Sequence, residues 1–416
     1  MIKNYLKIAF RNLVKNKVSS FINIGGLAIG MAVAILIGLW IYDELSFNKN
    51  FKNYDRIAQV MQNSTMNGET GSGTTIPFPM GEELRKSFGS DFKYISMASW
   101  NENHILSFGE KRLSKSGTFF EPQALEMLSL KMLRGTRGGL NDPSSILLSE
   151  SSAKAYFGDA DPLGKVMKID NTQDVKVTGV YEDLPYNSSF ADITFITPWQ
   201  LFANIRGFKN ATDPWRCNCY MGYTQVADNA DINKISAKIK DIKLAKIDKS
   251  ELKQRPQIFL QPMSKWHLYS EFKNGVNVGG RIKYVWLFGI IGVFVLLLAC
   301  INFMNLSTAR SEKRAKEVGI RKSVGSLRSQ LILQFFSESL LVAVFAFVLS
   351  VLLVQLMLPF FNDVAGKKTS ILWGNPLFWL LGIGFSIITG LIAGTYPALY
   401  LSSFNPVRVL KGTFRA

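Results

Sequence analysis

Long apolar runs alternate with short basic segments along this chain. Residues 284–309 carry no charged side chain, and the only charge within 331–360 is Glu338. Residues 19–42 and 376–402 form two further apolar runs. Each of the four runs reaches the roughly 20 residues that a helix needs to cross the hydrocarbon core of a bilayer. The pattern therefore predicts four transmembrane helices, at 19–42, 284–309, 331–360 and 376–402.

The first and second predicted spans are separated by a long polar region, residues 43–283, that contains no run long enough to cross a membrane. Its local patterns predict short strands and short helices. They are strands at 166–169 and 174–181, helices at 151–157 and 230–244, and a mobile loop at 68–75. The expected fold class is an integral membrane α-helical protein with a large α+β domain, or two subdomains, between its first two spans.

The net charge of +17 is concentrated beside the predicted spans. Thirteen of these units fall in residues 1–18, the loop 310–330 and the tail 403–416. Because Lys and Arg accumulate on the cytoplasmic side of membrane proteins, both termini are expected in the cytoplasm and residues 43–283 outside it. This distribution explains the charge without nucleic acid as a partner. The same charge distribution places a short loop, residues 361–375, outside the cytoplasm. It predicts a multi-pass protein of the cytoplasmic (inner) membrane.

Residues 1–18 combine five Lys or Arg residues with apolar positions at helical spacing, which is typical of an amphipathic helix on a membrane surface. A cleaved signal peptide is the alternative, but the apolar run is too long and no small-residue cleavage site follows it. Small residues four apart predict close helix contacts, within one protomer or between two. They are Gly26 and Gly30 in the first span, and Gly382, Ser386, Gly390 and Gly394 in the fourth.

The basic loop between the second and third spans has a helical pattern of its own. Apolar and charged residues are interleaved from 313 to 324, although Gly319 and Gly325 disfavour a continuous helix. A cytoplasmic loop of this kind can contact a soluble partner; the alternative is that its charges only determine topology. Glu338, close to the loop, is expected either to snorkel to the interface or to pair with a loop residue such as Arg328, rather than to act within the membrane.

Several kinds of functional site are missing from the sequence. No GxxxxGK[ST] phosphate loop, HExxH motif or Cys-x-x-Cys pair occurs, and the chain has two histidines, His104 and His267. We therefore expect no catalytic residue, no metal site and no cofactor in this chain. Cys300 is expected to pack in a span. A bridge between Cys217 and Cys219 is disfavoured because two residues' separation makes a very tight ring.

Two parts of the chain resemble a known family. KRAKEVGIRKSVGSLRSQLILQFFSESLL resembles the FtsX-like permease domain of MacB-type ABC transporter permeases, and this domain would occupy residues 284–402. DPLGKVMKID and VKVTGVYEDLPYNSSF, within residues 43–283, resemble the extracytoplasmic core domain of the same family. The resemblance implies that the loop couples the permease to an ATPase subunit. The coupling residues would be Lys316, Glu317, Val318, Gly319, Ile320, Arg321 and Lys322.

The resemblance implies a permease subunit that couples ATP hydrolysis by a separate ATPase to movements of its periplasmic domain and so exports or releases a substrate. ATP and Mg²⁺ would be bound by the partner alone. A lipoprotein-releasing permease and an FtsX-like scaffold that controls an outside hydrolase stay open as alternatives. Further expected partners are membrane lipids, a second copy or a tandem half of a longer permease, and a periplasmic adaptor or outer-membrane component.

Overall fold

The computed structural model describes residues 2–309 and 318–403. The chain divides into two compact units: a helical unit, residues 1–43 and 284–416, and a sheet unit, residues 44–283. In chain order the helices are α1 (Ile2–Lys15), α2 (Lys17–Leu45), α3 (Met80–Phe88), α4 (Gln123–Met127), α5 (Glu150–Phe157), α6 (Trp199–Ile205), α7 (Ile232–Ile239), α8 (Lys249–Leu252), α9 (Met263–Trp266), α10 (Ile282–Thr308), α11 (Arg328–Ala365) and α12 (Pro376–Ser402).

The strands belong to the sheet unit, which is described throughout. They are β1 (Ile57–Met66), β2 (Glu69–Gly73), β3 (Phe92–Ala98), β4 (Glu102–Phe108), β5 (Lys111–Phe120), β6 (Met132–Gly135), β7 (Ser145–Ser149), β8 (Val166–Ile169), β9 (Gln173–Tyr181), β10 (Phe195–Pro198), β11 (Met221–Val226), β12 (Gln257–Pro262), β13 (Glu271–Lys273) and β14 (Val276–Gly279).

Four helices in the described part of the chain, α2, α10, α11 and α12, are long and apolar enough to cross a membrane. The α+β sheet unit lies in the chain between the first two of them. The predicted fold class is therefore confirmed. The helices include polar ends that hydropathy alone leaves out, such as Arg328 at the start of α11. Asn375 is the N-cap residue of α12, because its side chain accepts a hydrogen bond from the backbone N–H of Leu377 at 2.9 Å.

Small residues allow close helix approach within the helical unit. A methyl group on Gly30 of α2 would overlap Ala299 of α10, and one on Gly26 would lie 3.3 Å from the side-chain amide of Asn302. The ladder of α12 consists of Gly382, Ser386, Gly390 and Gly394. Its three glycines lie against Phe347, Leu340 and Ser339 of α11 in the same chain. The ladder thus packs inside one protomer.

A short side-chain contact between an acidic and a basic residue lies on each side of the boundary between Asp43 and Glu44. Within the helical unit, Lys367 Nζ lies 2.7 Å from Asp43 Oδ2. Within the sheet unit, His267 Nε2 lies 2.7 Å from Glu44 Oε2, and Phe47 stacks on the His267 ring at 3.8 Å. Two consecutive acidic residues are therefore each held inside their own unit.

Part of the sheet closes on itself. The strand order is β10-β7-β9-β8-β4-β5-β3-β11-β1-β12, and β10 also pairs with β5. Within residues 44–283, six strands from β10 to β5 therefore form a closed ring, and β3, β11, β1 and β12 continue from β5 as an open sheet. Of the other strands, β2 pairs with β1, β6 pairs with β9, and β13 and β14 form a separate two-stranded sheet. β10 makes the closure by running parallel to β5 and antiparallel to β7.

Four strands of the ring, β5, β7, β9 and β10, supply buried residues from both of their faces. Phe119 and Phe195 belong to one apolar cluster, and the adjacent Phe120 and Ile196 belong to another. Successive side chains of a strand point to opposite faces, so each of these four strands supplies both clusters, whereas β4 and β8 supply only the first. This explains why β7 and β10 consist wholly of buried residues.

The predicted mobile loop at 68–75 is wrong, since residues 69–73 form β2 and pair with β1. The turn between the two strands consists of Asn67 and Gly68, both with positive φ (52° and 85°). An Asn-Gly pair favours this two-residue hairpin turn because both residues tolerate the left-handed conformation. The predicted helix at 230–244 is shorter in the structure, where α7 ends at Ile239.

The prediction for Cys217 and Cys219 is also wrong, because a disulfide joins them. Their Cα atoms are 5.3 Å apart, which lies within the normal range for a bridge. The intervening Asn218 accepts a hydrogen bond from Lys243 Nζ at 2.7 Å. Lys243 is 1% exposed and also donates to the side chain of Gln62. Burial lowers the pKa of Lys243.

Candidate functional site

The site predicted for coupling lies at the end of the helical unit where residues 318–327 lead into α11. Residues 318–323 are helical, and Gly325, with φ of 104°, follows in a turn. Lys316 and Glu317 lie outside the described residues, so their predicted role stays a prediction. The remaining five of the predicted coupling residues, 318–322, are described and can be examined one by one.

Val318 attaches the loop to the helices. It is 3% exposed and belongs to a small apolar cluster with Leu331 and Phe335 of α11 and Ala398 of α12. Gly319 is buried as well. These two residues therefore face the protein interior, where they can position a partner-binding surface but cannot themselves touch a partner.

Arg321 and Lys322 also bond inward. Arg321 Nη1 donates to Gln334 Oε1 of α11. Lys322 Nζ donates to the backbone carbonyl of Ser402, at the end of α12, at 2.6 Å. Burial, and next the positive charge of Arg328, lower the pKa of Lys322. The two cations therefore brace the loop against α11 and α12.

A polar cluster joins the loop to α1. We use this name for Asn12, Arg321, Gln334 and Glu338. The side chain of Asn12 donates to Glu338 Oε1 at 2.8 Å, and Gln334 donates to the same oxygen at 3.3 Å. The four residues line a cavity of ≈ 20 Å³. That volume is close to the ~10–15 Å³ that one water molecule needs.

The predicted pairing of Glu338 with Arg328 is wrong. Glu338, 8% exposed, accepts from Asn12 and Gln334 instead, while Arg328 Nε donates to the hydroxyl of Ser402 at 3.4 Å. Arg328 stands at the first position of α11, more than two turns before Glu338. The two side chains consequently serve different helix contacts.

Three apolar side chains of the loop point away from the helices. Ile320, Val324 and Leu327 are 55%, 83% and 63% exposed. We call them the apolar docking face. Ile320 was among the predicted coupling residues, whereas Val324 and Leu327 were not. The helical spacing of Ile320 and Val324 is a signal in the sequence, whereas Leu327 follows the turn at Gly325 and has no such signal.

The helix α1 packs on α11 at the polar cluster. Ala9 is fully buried, and Asn12 reaches Glu338, so one side of α1 packs inward. On the other side, Lys7, Arg11 and Lys15 are exposed. The neighbouring Phe10 and Val14 are about half exposed. The end of the helical unit thus combines an exposed apolar face with exposed cations.

The sheet unit and the rest of the helical unit offer other cavities. One of ≈ 290 Å³ lies among α2, α11 and α12 and is lined largely by apolar side chains. Two in the sheet unit are lined largely by polar side chains. Within residues 2–309 and 318–403, no group of three or more His, Cys, Asp or Glu residues could hold a metal ion.

Comparison with known proteins covers both units. Residues 20–242 match the MacB-like periplasmic core domain, and residues 289–406 match the FtsX-like permease C-terminal domain. These matches confirm the family to which the sequence motifs pointed.

Three relatives show how the lengths compare. The chain is 23% identical over 428 residues to the macrolide export ATP-binding/permease protein MacB of Campylobacter jejuni, covering 97% of this chain and 60% of that protein. It is 24% identical over 276 residues to MacB of Bdellovibrio bacteriovorus, covering 64% of this chain and 38% of that protein. An uncharacterized ABC transporter permease of Bacillus subtilis, YvrN, is 21% identical over 435 residues, which cover 98% of this chain and 99% of that protein. The chain therefore spans between 38% and 60% of the two MacB proteins.

Proposed function

The chain belongs to the MacB-like family of ABC transporter permeases, and we propose that it couples a separate ATPase subunit to movement of its sheet unit. The ATPase binds ATP and Mg²⁺ and docks on the apolar docking face, with α1 beside it. The substrate is exported, or released, on the far side of the membrane.

The observation that carries this proposal is the apolar docking face itself. Ile320, Val324 and Leu327 are exposed on a segment that Arg321 and Lys322 attach to α11 and α12. Apolar side chains presented on a braced support favour a protein partner, because little conformational entropy is lost on binding. The surrounding cations suit an acidic rim on that partner.

The orientation follows from charge. The cations of the N-terminal helix and of the loop at 310–330 flank spans, and Lys and Arg favour the cytoplasmic side. We place α1 and the docking face in the cytoplasm, and residues 43–283 in the periplasm. An ATPase, which needs cytoplasmic ATP, then has access to the face.

The route of coupling is the chain itself. α2 leads into the sheet unit and α10 leads out of it, while α11 carries the loop. Closure of the ATPase would displace the loop and, through the polar cluster, α1 and α2. Two copies would form the working transporter. A periplasmic adaptor or outer-membrane component is a further proposed partner; the lipoprotein-releasing and scaffold alternatives stay predictions.

Site-specific photo-crosslinking in the cells that produce the protein tests the docking. A photoreactive amino acid at position 320, 324 or 327 should capture an ABC ATPase, identified by mass spectrometry. The same amino acid at Lys240, an exposed residue of the sheet unit, is the matched control and should not. Capture of no ATP-binding protein from any of the three positions would overturn the proposal.

Reconstitution with the captured ATPase then measures coupling. Changing Ile320, Val324 and Leu327 together to Glu should weaken modulation of ATP hydrolysis by about tenfold or more, because central interface residues dominate binding energy. Ser329→Glu, at an exposed position that begins α11, should change it little. Glu317→Ala tests the predicted role of a residue outside the described part of the chain.

A further inference from the structure

A polar cavity of ≈ 280 Å³ lies in the sheet unit beside β3 and β11. It is many times larger than the ~10–15 Å³ that a single water molecule requires. The residues that matter for its chemistry are Lys52, Arg56, Lys93, Glu126, Arg137 and Gln225. We call it the basic cavity. Neither the family matches nor the proposed function assigns a role to it.

Gln225 is the unusual residue of this cavity. It is 0% exposed, and neither its Oε1 nor its Nε2 has a hydrogen-bond partner among the described residues. Burying an amide without partners is costly, and buried polar groups in native proteins are nearly always bonded. Gln225 pairs with Tyr94 of β3 and Ile57 of β1, and the register shifts immediately after it. Such bulges re-aim side chains and occur next to binding sites.

Two cations of the basic cavity have no carboxylate partner among the residues described. They are Lys52 and Lys93, both exposed at its rim. Arg137 is held by the carboxylate of Glu126 at 3.2 Å and donates to the carbonyl of Leu130.

Arg56, the fourth cation, contacts Asp228 and Asn53. A guanidinium has five N–H donors, so both arginines retain donors for a ligand. Four cations and one lining carboxylate make the cavity electropositive.

We propose that the basic cavity binds a phosphate group that has a hydroxyl beside it. Phosphate oxygens accept hydrogen bonds from several directions, which suits ammonium and guanidinium donors placed around one space. The side-chain amide of Gln225 can both donate and accept hydrogen bonds, so a ligand that presents an oxygen acceptor next to an O–H bonds to both of its polar atoms. A glycerol phosphate headgroup and a protonated free phosphate both do so.

The position of the cavity along the chain is compatible with a lipid source. Lys52 follows Leu45, the last residue of α2, by seven residues, which span at most about 25 Å. A lipid headgroup and a soluble phosphate compound share the chemistry recognised here, and the experiment below separates them. The inference does not depend on an ATPase partner.

Binding is measured on the full-length protein. In phosphatidylcholine nanodiscs, glycerol 3-phosphate and inorganic phosphate are titrated by calorimetry, with chloride as reference. In a second arm, thermal stability in phosphatidylglycerol nanodiscs is compared with that in phosphatidylcholine. We expect saturable binding in the first arm if soluble phosphates reach the cavity. A rise in unfolding temperature confined to the second arm identifies the lipid headgroup.

Variants decide whether the signal comes from this cavity. Lys52→Ala/Lys93→Ala should weaken the response at least about tenfold, since two charge-assisted contacts are lost. Lys154→Ala/Lys240→Ala removes the same charge from exposed positions elsewhere in the sheet unit and should leave it unchanged. Gln225→Leu should abolish it while the protein stays folded.

The proposal is overturned if neither arm shows a response in the wild-type protein. It is equally overturned if the Lys52→Ala/Lys93→Ala protein, which alters only the rim, responds like wild type, or if chloride produces the same effect as phosphate.

Discussion

The helical unit and the sheet unit each contain a polar interior, and the two differ in how their hydrogen-bonding groups are used. In the helical unit, Asn12 and Gln334 both donate to Glu338 around a cavity of ≈ 20 Å³. In the sheet unit, Gln225 lines a cavity of ≈ 280 Å³ with both amide atoms unpartnered within the described residues. The polar groups of the first interior bond to one another, whereas the second contains an amide with no partner among the described residues.

This difference separates polar residues that stabilise the fold from those that we propose bind a ligand. A bonded network in a small space positions helices, and removing one member leaves the others without partners. A buried amide without a partner in the protein costs stability, and a ligand that bonds to it offsets that cost. Substitutions in the two interiors should therefore have opposite signs.

The largest expected effect is that of Glu338→Ala in the polar cluster. Its loss leaves the amides of Asn12 and Gln334 without their acceptor, so the free energy of unfolding should fall by about 2–4 kcal/mol. Glu338→Gln retains an oxygen acceptor, so its free energy of unfolding should fall clearly less than that of Glu338→Ala. Thermal unfolding in detergent measures both. Equal stability of the Ala variant and wild type would remove the structural role from this cluster.

A smaller loss is expected for Arg321→Met, which keeps the apolar stem and removes the guanidinium. Gln334 Oε1 loses a charged donor, and we expect about 1–2 kcal/mol of destabilisation. Lys7→Met, at an exposed position of α1, is the matched control. Hydrogen exchange should show faster exchange at the start of α11 in the Arg321 variant alone; unchanged exchange there would contradict the bracing role.

Gln225→Leu should act in the opposite direction. Without ligand, the leucine removes an unsatisfied buried amide, so we expect the free energy of unfolding to rise by about 1 kcal/mol. Chemical denaturation of the full-length protein in phosphate-free buffer gives this difference. Destabilisation by the same substitution would mean that Gln225 is bonded in solution, and the contrast with the polar cluster would disappear.

The smallest effect concerns Lys243, a buried cation with two amide acceptors but a lowered pKa. Below its ordinary value of 10.5 the unfolded chain binds more protons than the folded chain, so stability rises with pH between the lowered pKa and 10.5. Lys243→Met should lack this rise. Denaturation at several alkaline pH values compares the two proteins, and parallel pH profiles would show that the ammonium is not desolvated.

The sequence predicts the helical unit better than the sheet unit because a span is defined by composition alone. Uncharged runs indicate α2, α10 and α12, and Asn375 before Pro376 indicates where α12 begins. Partners within the unit are harder to predict. Glu338 bonds to Asn12, 326 positions away in the chain, and no local pattern reports such a pair.

In the sheet unit, alternation identifies strands but not their neighbours. The residues of β9 alternate as predicted, and β8, the strand just before it, pairs with it; its parallel pairing with β7, however, joins strands separated by α5 and β8. Gln225 shows most clearly what the sequence alone cannot predict. In MGYTQV it resembles any polar residue of a half-buried strand, and only the assembled sheet reveals that it is fully buried. The Asn67–Gly68 turn, in contrast, could have been predicted from its two residues.

The late position of β10 in the chain has a consequence for how the protein is made. During synthesis, β5 and β7 are complete before Phe195 has been added, so each exposes an unpaired edge that other chains can join. The four residues of β10 then pair with the edges of both β5 and β7. These two edges of the nascent protein are accordingly open to aggregation between the synthesis of β7 and that of β10, when a chaperone that shields strand edges would protect them.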